Sequence, residues 1–237
     1  MRNLFFLIFL LLPFAVWSQR SKVVKNNPNY DRKNIHFGFT VGVNTLNFIV
    51  HRSEELNLSQ QIFSIESVHG VGFHLGPISN FRLGEYFDLR YLIDLTFGQR
   101  TIEYMVKDAS PGDNPLVLQS MDVESIFIES PLLLKYKASR KDNYRPYLIA
   151  GVNPKFDLAA RKELKPEELN KKLKLNPLDV YYEVGFGVDY YLPYFKFSTE
   201  FKYSFGLFNV LSPDGTPYTT TIDKLNSSMF FVSFHFE

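Results

Sequence analysis

Strict alternation of apolar and polar residues, repeated in segment after segment, is the feature that most restricts how this chain can fold. In 195–207, Phe195, Phe197, Phe201, Tyr203, Phe205 and Leu207 share one parity, and Lys196, Ser198, Glu200, Lys202, Ser204 and Gly206 share the other. Successive side chains of a strand point to opposite faces, so this is a two-faced strand. In 180–192, Val180, Tyr182, Val184, Phe186, Val188, Tyr190 and Leu192 alternate with Tyr181, Glu183, Gly185, Gly187, Asp189 and Tyr191. In 87–100, Phe87, Leu89, Tyr91, Ile93, Leu95 and Phe97 oppose a polar set in which Leu92 is the apolar exception. At the far end Phe230, Val232, Phe234 and Phe236 oppose Ser233 and His235.

Read this way, the chain holds eight strands: 35–50, 68–81, 87–105, 123–138, 145–158, 178–192, 194–211 and 226–236. Their connections alternate in length. Those at 51–67, 106–122, 159–177 and 212–225 are long, whereas 82–86, 139–144 and Pro193 are tight. Long loops at one end and short turns at the other are the pattern of an outer-membrane up-and-down barrel. The expected fold is therefore all-β: an eight-stranded antiparallel transmembrane barrel with a filled polar lumen, four long extracellular loops and short periplasmic turns. Both ends of the chain then lie on the periplasmic side.

Alternation alone does not say which face is inside. A soluble lipocalin-like barrel would carry the apolar face within. The glycines favour the membrane barrel. Of 13, all but Gly84, Gly112 and Gly215 fall on the polar parity. Glycine weakens a strand, but inside a narrow barrel filled by side chains it relieves crowding. The chain also carries 24 Phe and 14 Tyr, which lipid accommodates readily.

The first segment is a leader. Arg2 precedes the apolar run Leu4–Val16, and Ser18 offers a small residue at a plausible cleavage point. An uncleaved anchor is the alternative, although the run falls short of the roughly 20 residues a membrane helix needs. The expected organisation is 1–18 signal peptide, 19–34 periplasmic tail and 35–237 barrel, in the outer membrane of a Gram-negative bacterium. The tail, with Asn26-Asn27-Pro28-Asn29, reads as disordered or partner-binding. Glu237 follows Phe236, which would otherwise supply a terminal aromatic insertion signal.

The polar parity places charge in the lumen. Strand 87–105 contributes Asp88, Arg90, Asp94 and Arg100, and strand 123–138 contributes Glu129, Lys135 and Lys137. Lys155 and Asp157 follow on 145–158, then Glu183 and Asp189, then Lys196, Glu200 and Lys202. Buried charges persist when paired and hydrogen-bonded, so a closed electrostatic network is expected. A wide water-filled pore needs about 16–18 strands.

Chemistry is scarce. With no cysteine there is no disulfide, thiolate metal site or thiol nucleophile. No G-x-S-x-G, H-E-x-x-H, Walker or dinucleotide pattern occurs. With 26 basic against 25 acidic residues, a nucleic-acid footprint is not expected. No cofactor or metal is expected either. His36 and His235 fall near each other at the periplasmic end, as a hydrogen-bonded pair or as a metal or pH-sensing site. Ser233 and His235 form a Ser/His arrangement of the kind some lipid-acting barrels use, but on the lumenal face. The loop 161–174 mixes Lys and Glu at helical spacing and reads as a solvated loop or a docking surface. Loop 106–122 carries the turn cluster Pro111-Gly112-Asp113-Asn114-Pro115.

Longer strings add a resemblance. Asn80-Phe81-Arg82-Leu83-Gly84-Glu85-Tyr86-Phe87-Asp88-Leu89-Arg90-Tyr91, followed by Leu95-Thr96-Phe97-Gly98-Gln99-Arg100, resembles the PorT family of outer-membrane barrels. So do the blocks Glu129–Tyr136, Arg145–Asn153, Glu183–Asp189 and Tyr194–Ser198. The Pro131–Lys135 string is common to many small barrels, and the Arg82–Arg90 block with Phe97–Arg100 is the more specific part. The resemblance implies a component of the type IX secretion system, which exports proteins bearing C-terminal signal domains and supports gliding in some bacteria. Strand count points to an accessory role rather than the pore. It implies outer-membrane lipid and other secretion components or cargo as partners, and it brings no catalytic residues. Arg82, Glu85 and Tyr86, on a periplasmic turn, are the candidate partner contacts. A general small porin-like, structural or adhesion barrel is the competing reading, and a lipid-modifying enzyme a third.

Overall fold

The computed structural model describes residues 24–54, 62–107, 116–160, 173–213 and 216–237. The leader 1–18, the turn cluster 111–115 and the charged loop at 161–172 lie outside them. Among the described residues eleven strands are present: β1 Ile35–Arg52, β2 Ile62–Val68, β3 Gly70–Arg82, β4 Phe87–Leu92, β5 Asp94–Lys107, β6 Leu116–Glu129, β7 Leu132–Lys137, β8 Tyr144–Asp157, β9 Leu178–Tyr191, β10 Lys196–Gly206 and β11 Ile222–Phe236. Three pairs, β2/β3, β4/β5 and β6/β7, are single staves broken at His69, Ile93 and Ser130-Pro131. The pairings therefore form a ring of eight antiparallel staves, closed where β1 meets β11 with Phe39 opposite Phe236.

The alternation resolves in favour of the membrane barrel. Apolar side chains of one parity face out, including Phe37, Leu148 and Phe186, each more than half exposed. Charged side chains of the other parity face in. The inward glycines are there for space. A Cβ on Gly187 would meet Tyr147 Oη and the Thr199 carbonyl oxygen at 2.5 Å. Among the described residues no helix is long and apolar enough to cross a membrane, and the crossing is made by strands.

Several staves run further outward than the alternation indicated. β6 begins at Leu116 and β2 at Ile62, because the polarity inverts at the extracellular end. On β5 the outward set changes from Leu95 and Phe97 to Gln99, Thr101 and Glu103, while the inward set changes from Asp94 and Arg100 to Ile102 and Tyr104. On β6 the outward residues Ser120, Asp122 and Glu124 give way to Ile126 and Ile128 toward the membrane. Above this line the staves behave as a soluble sheet around an apolar core of Phe48, Ile65, Ile102, Tyr104, Met121 and Leu225. Conversely, β10 ends at Gly206 rather than 211. Asp179 accepts from the Phe208 backbone N–H at 3.1 Å, and the chain turns inward to bury Val210 and Leu211 in the same core.

Candidate functional site

Three layers fill the lumen. At the periplasmic base, Lys135 Nζ pairs with Asp189 at 2.8 Å and Lys137 with Asp88 at 2.5 Å. Lys196 Nζ donates to Glu237 at 2.6 Å, and Asn80 donates to the other oxygen of that carboxylate at 2.6 Å. Arg90, fully buried, meets Glu200 at 2.5 Å, and Tyr147 donates to the same oxygen at 2.9 Å. In the middle, Lys155 meets Glu129 at 3.1 Å and Glu183 at 3.8 Å, and Lys202 meets Glu183 at 2.8 Å. Asn153 donates to both glutamates at 2.9 and 2.8 Å. At the top, Arg100 lies between the Phe48 and Phe127 rings, at 4.1 and 5.3 Å from their centroids, and 3.7 Å from Asp157. Charges taken from water are tolerated in this arrangement because each finds an opposite charge and hydrogen bonds.

All fourteen lumenal candidates are thus buried within the barrel, but Asp94 differs from the others. Among the described residues it has no ion pair, and its Oδ1 has no hydrogen-bond partner. Sequence reasoning missed Glu237, Asn153 and Tyr147. Glu237 read only as an oddity after Phe236, yet its side chain closes the base. Parity could have found Asn153 and Tyr147; their neutral side chains drew no attention.

The histidines are arranged differently from expectation. His36 Nε2 lies 2.9 Å from the Tyr30 carbonyl oxygen, and its ring stacks on Tyr30 at 4.1 Å. His235 Nε2 lies 3.4 Å from Glu200. The register explains the separation: His235 pairs with Thr40, and His36 lies beyond the end of β11. Ser233 hydrogen-bonds His74 Nε2 at 2.9 Å rather than His235. Among the described residues no group of three or more metal-ligating side chains occurs.

Of the tail 19–34, read as disordered or partner-binding, residues 24–34 are described, and they fold across the periplasmic mouth. Asn26 donates through its backbone N–H to Asn143 and through its side chain to the Tyr191 carbonyl, both at 2.9 Å. Asp31 accepts from Tyr191 Oη at 2.8 Å and pairs with Arg145 at 3.3 Å. Asn27 adopts a left-handed φ of 44° and donates to Leu192 O at 2.8 Å, and Arg140 donates to Asn26 O. Tyr30 donates to Glu237 at 3.1 Å. Burial, then the Glu237 charge, push the Tyr30 phenol far above its ordinary value, so it remains a neutral donor. Beside this strap lies a cleft of about 600 Å³ lined by Tyr30, Lys33, His36, Tyr194 and Glu237 among others.

The candidate contact turn is held by its backbone, and Arg82 Nε donates to the Gly84 carbonyl at 3.2 Å. Glu85 O accepts from Arg145 at 2.9 Å, and Tyr86 O accepts from the Lys137 N–H at 2.7 Å. The side chains of Arg82, Glu85 and Tyr86 are exposed.

A ring of eight staves, an apolar exterior and a charged, filled lumen define a transmembrane β-barrel. The family profile for the outer membrane protein beta-barrel domain matches residues 17–212, and the chain belongs to that family. No curated protein matches it. Among solved structures it is similar to Neisserial surface protein A, with 13% identity over 86% of this chain and 98% of that one, at a TM-score of 0.43. It is also similar to OprG from Pseudomonas aeruginosa, with 12% identity over 84% and 94% and a TM-score of 0.43. The outer membrane protease OmpT from Escherichia coli is 8% identical over 92% and 99%, with a TM-score of 0.40. Values this low carry no assignment of activity.

Proposed function

We propose that this outer-membrane barrel is a non-enzymatic accessory component of the type IX secretion system, not its conduit. The observation that carries this reading is the closure of the lumen. Paired charges fill it, the 24–34 strap crosses its base, and the apolar core containing Val210 and Leu211 shuts its top. No polypeptide passes through such a barrel without dismantling it. The secretion role is supported by the resemblance of the Arg82–Arg90 and Phe97–Arg100 blocks to PorT proteins. In this reading the 1–18 leader is removed near Ser18, and the barrel works through its periplasmic face. Arg82, Glu85 and Tyr86 meet a partner of the secretion machine or its cargo.

The test is a clean deletion in the native host, with re-expression as control. Cargo bearing the C-terminal sorting signal is expected to accumulate in the periplasm and to be released again on re-expression. Arg82→Glu with Glu85→Lys is expected to block release while the barrel reaches normal abundance. Normal release from the deletion strain, with altered envelope integrity or adhesion, would overturn the secretion role and favour a general structural barrel.

A further inference from the structure

We infer that the lumen wall at Asp94 binds a monovalent alkali-metal cation, held by the Asp94 carboxylate with the hydroxyls of Thr40 and Thr96.

The argument begins with a comparison among lumenal carboxylates. Asp88, Glu129, Glu183, Asp189, Glu200 and Glu237 each meet a lysine or arginine within 3.1 Å. Asp157 and Asp179 accept backbone N–H groups, from Ile126 and Ala159 and from Val180 and Phe208. Asp94 is 4% exposed and has neither kind of partner among the described residues. Its opposite residue across β5–β6 is another carboxylate, Glu129.

The surrounding charges do not neutralise it. Glu129 on β6 and Glu183 on β9 already take Lys155 on β8 and Lys202 on β10. Three carboxylates therefore face two ammonium groups. The nearby His74 on β3 is held by Ser233, and His235 on β11 lies against Glu200 beside Arg90. A buried carboxylate without an opposite charge is costly as the anion, and either a proton or a bound cation relieves it.

The neighbouring oxygens indicate which positive charge. Thr40 pairs with Gly76 across β1–β3, and a Cβ on Gly76 would collide with Asp94 Oδ1. Thr40 and Asp94 thus flank one glycine, and Thr96 stands two residues along from Asp94 on the same face. Among the described residues Thr40 Oγ1 and Thr96 Oγ1 are buried without a hydrogen-bond partner, although a hydroxyl within reach would donate to the carboxylate. Buried oxygens on one stretch of wall, without protein partners, suit a bridging cation, and small hard cations select oxygen ligands. The one-charge deficit calls for a monovalent ion.

The experiment uses the full barrel in detergent micelles at pH 8. Thermal unfolding is followed by heat-modifiable gel mobility in sodium chloride and in N-methyl-D-glucamine chloride at equal ionic strength. Removing sodium is expected to lower the midpoint of the unsubstituted protein by about 3 °C or more. Asp94→Asn is expected to abolish that dependence. Should Asp94→Asn fail to fold, Thr40→Val with Thr96→Val serves in its place, and crystals soaked in thallium(I) are expected to show an anomalous peak beside Asp94. A midpoint that follows pH but not the cation would show that a proton fills the role and overturn the proposal. So would equal sodium dependence in protein and variant, or no peak at Asp94.

Discussion

At the scale of residues, stability rests on completed pairs. Lys155 neutralises Glu129 and Glu183 at once, and its ammonium sits 4.4 Å from the Tyr181 ring centroid and 4.7 Å from that of Phe231. Removing one partner of a buried pair leaves the other charge uncompensated, at a cost of about 3–5 kcal/mol. Lys155→Met is therefore expected to lower the urea midpoint of the purified barrel strongly, and Lys155→Met with Glu129→Gln and Glu183→Gln to recover part of the loss. Asp31 plays a similar part for the strap, since Tyr191 and Arg145 both point at it. Asp31→Ala is expected to raise hydrogen exchange across 24–34 by at least tenfold while the staves stay protected, because a lost charged hydrogen bond is worth about 1.5–3 kcal/mol.

At the scale of elements, each stave is divided by its polarity inversion. Ile126 faces lipid and Glu124, two residues away on the same face, does not. Ile126→Lys should impair insertion, since a lysine at depth costs about 2–4 kcal/mol. Ser120→Lys, on the same face above the line, should insert normally. Folding into vesicles, scored by gel mobility, separates the two. This inversion also explains what the alternation could and could not reveal. The parity of 87–100 and 180–192 was plain because lipid demands apolar residues outside. The outer part of β6 was hidden, because there Met121 and Val123 are inside and Asp122 and Glu124 outside, the reverse of the pattern being followed. Similarly, the end of β10 followed from Asp179 and Asn226 catching the chain around Phe208, which depends on a neighbouring stave.

At the scale of the whole molecule, the barrel is closed three times over, by the strap, by lumenal pairs and by the outer core. Purified protein in planar bilayers is expected to show no stable conductance, and deletion of 24–34 is expected not to create one, because the Lys135–Asp189 and Lys155–Glu129 layers remain. A steady open channel in the deleted form would mean that the strap alone holds the lumen shut.

The alternation, the loop lengths and the placement of glycine determined by themselves that this chain forms an eight-stave membrane barrel with charge inside. Each of these is a local consequence of strand geometry meeting lipid on one face and a crowded lumen on the other. Only the tertiary structure decided which charges pair, that Asp94 is left over, that His36 and His235 go to Tyr30 and Glu200, and that the tail becomes a strap. Those outcomes depend on the stagger between staves and on which side chains converge across the lumen. Residues as distant as Asp31 and Tyr191 meet only once the ring has closed.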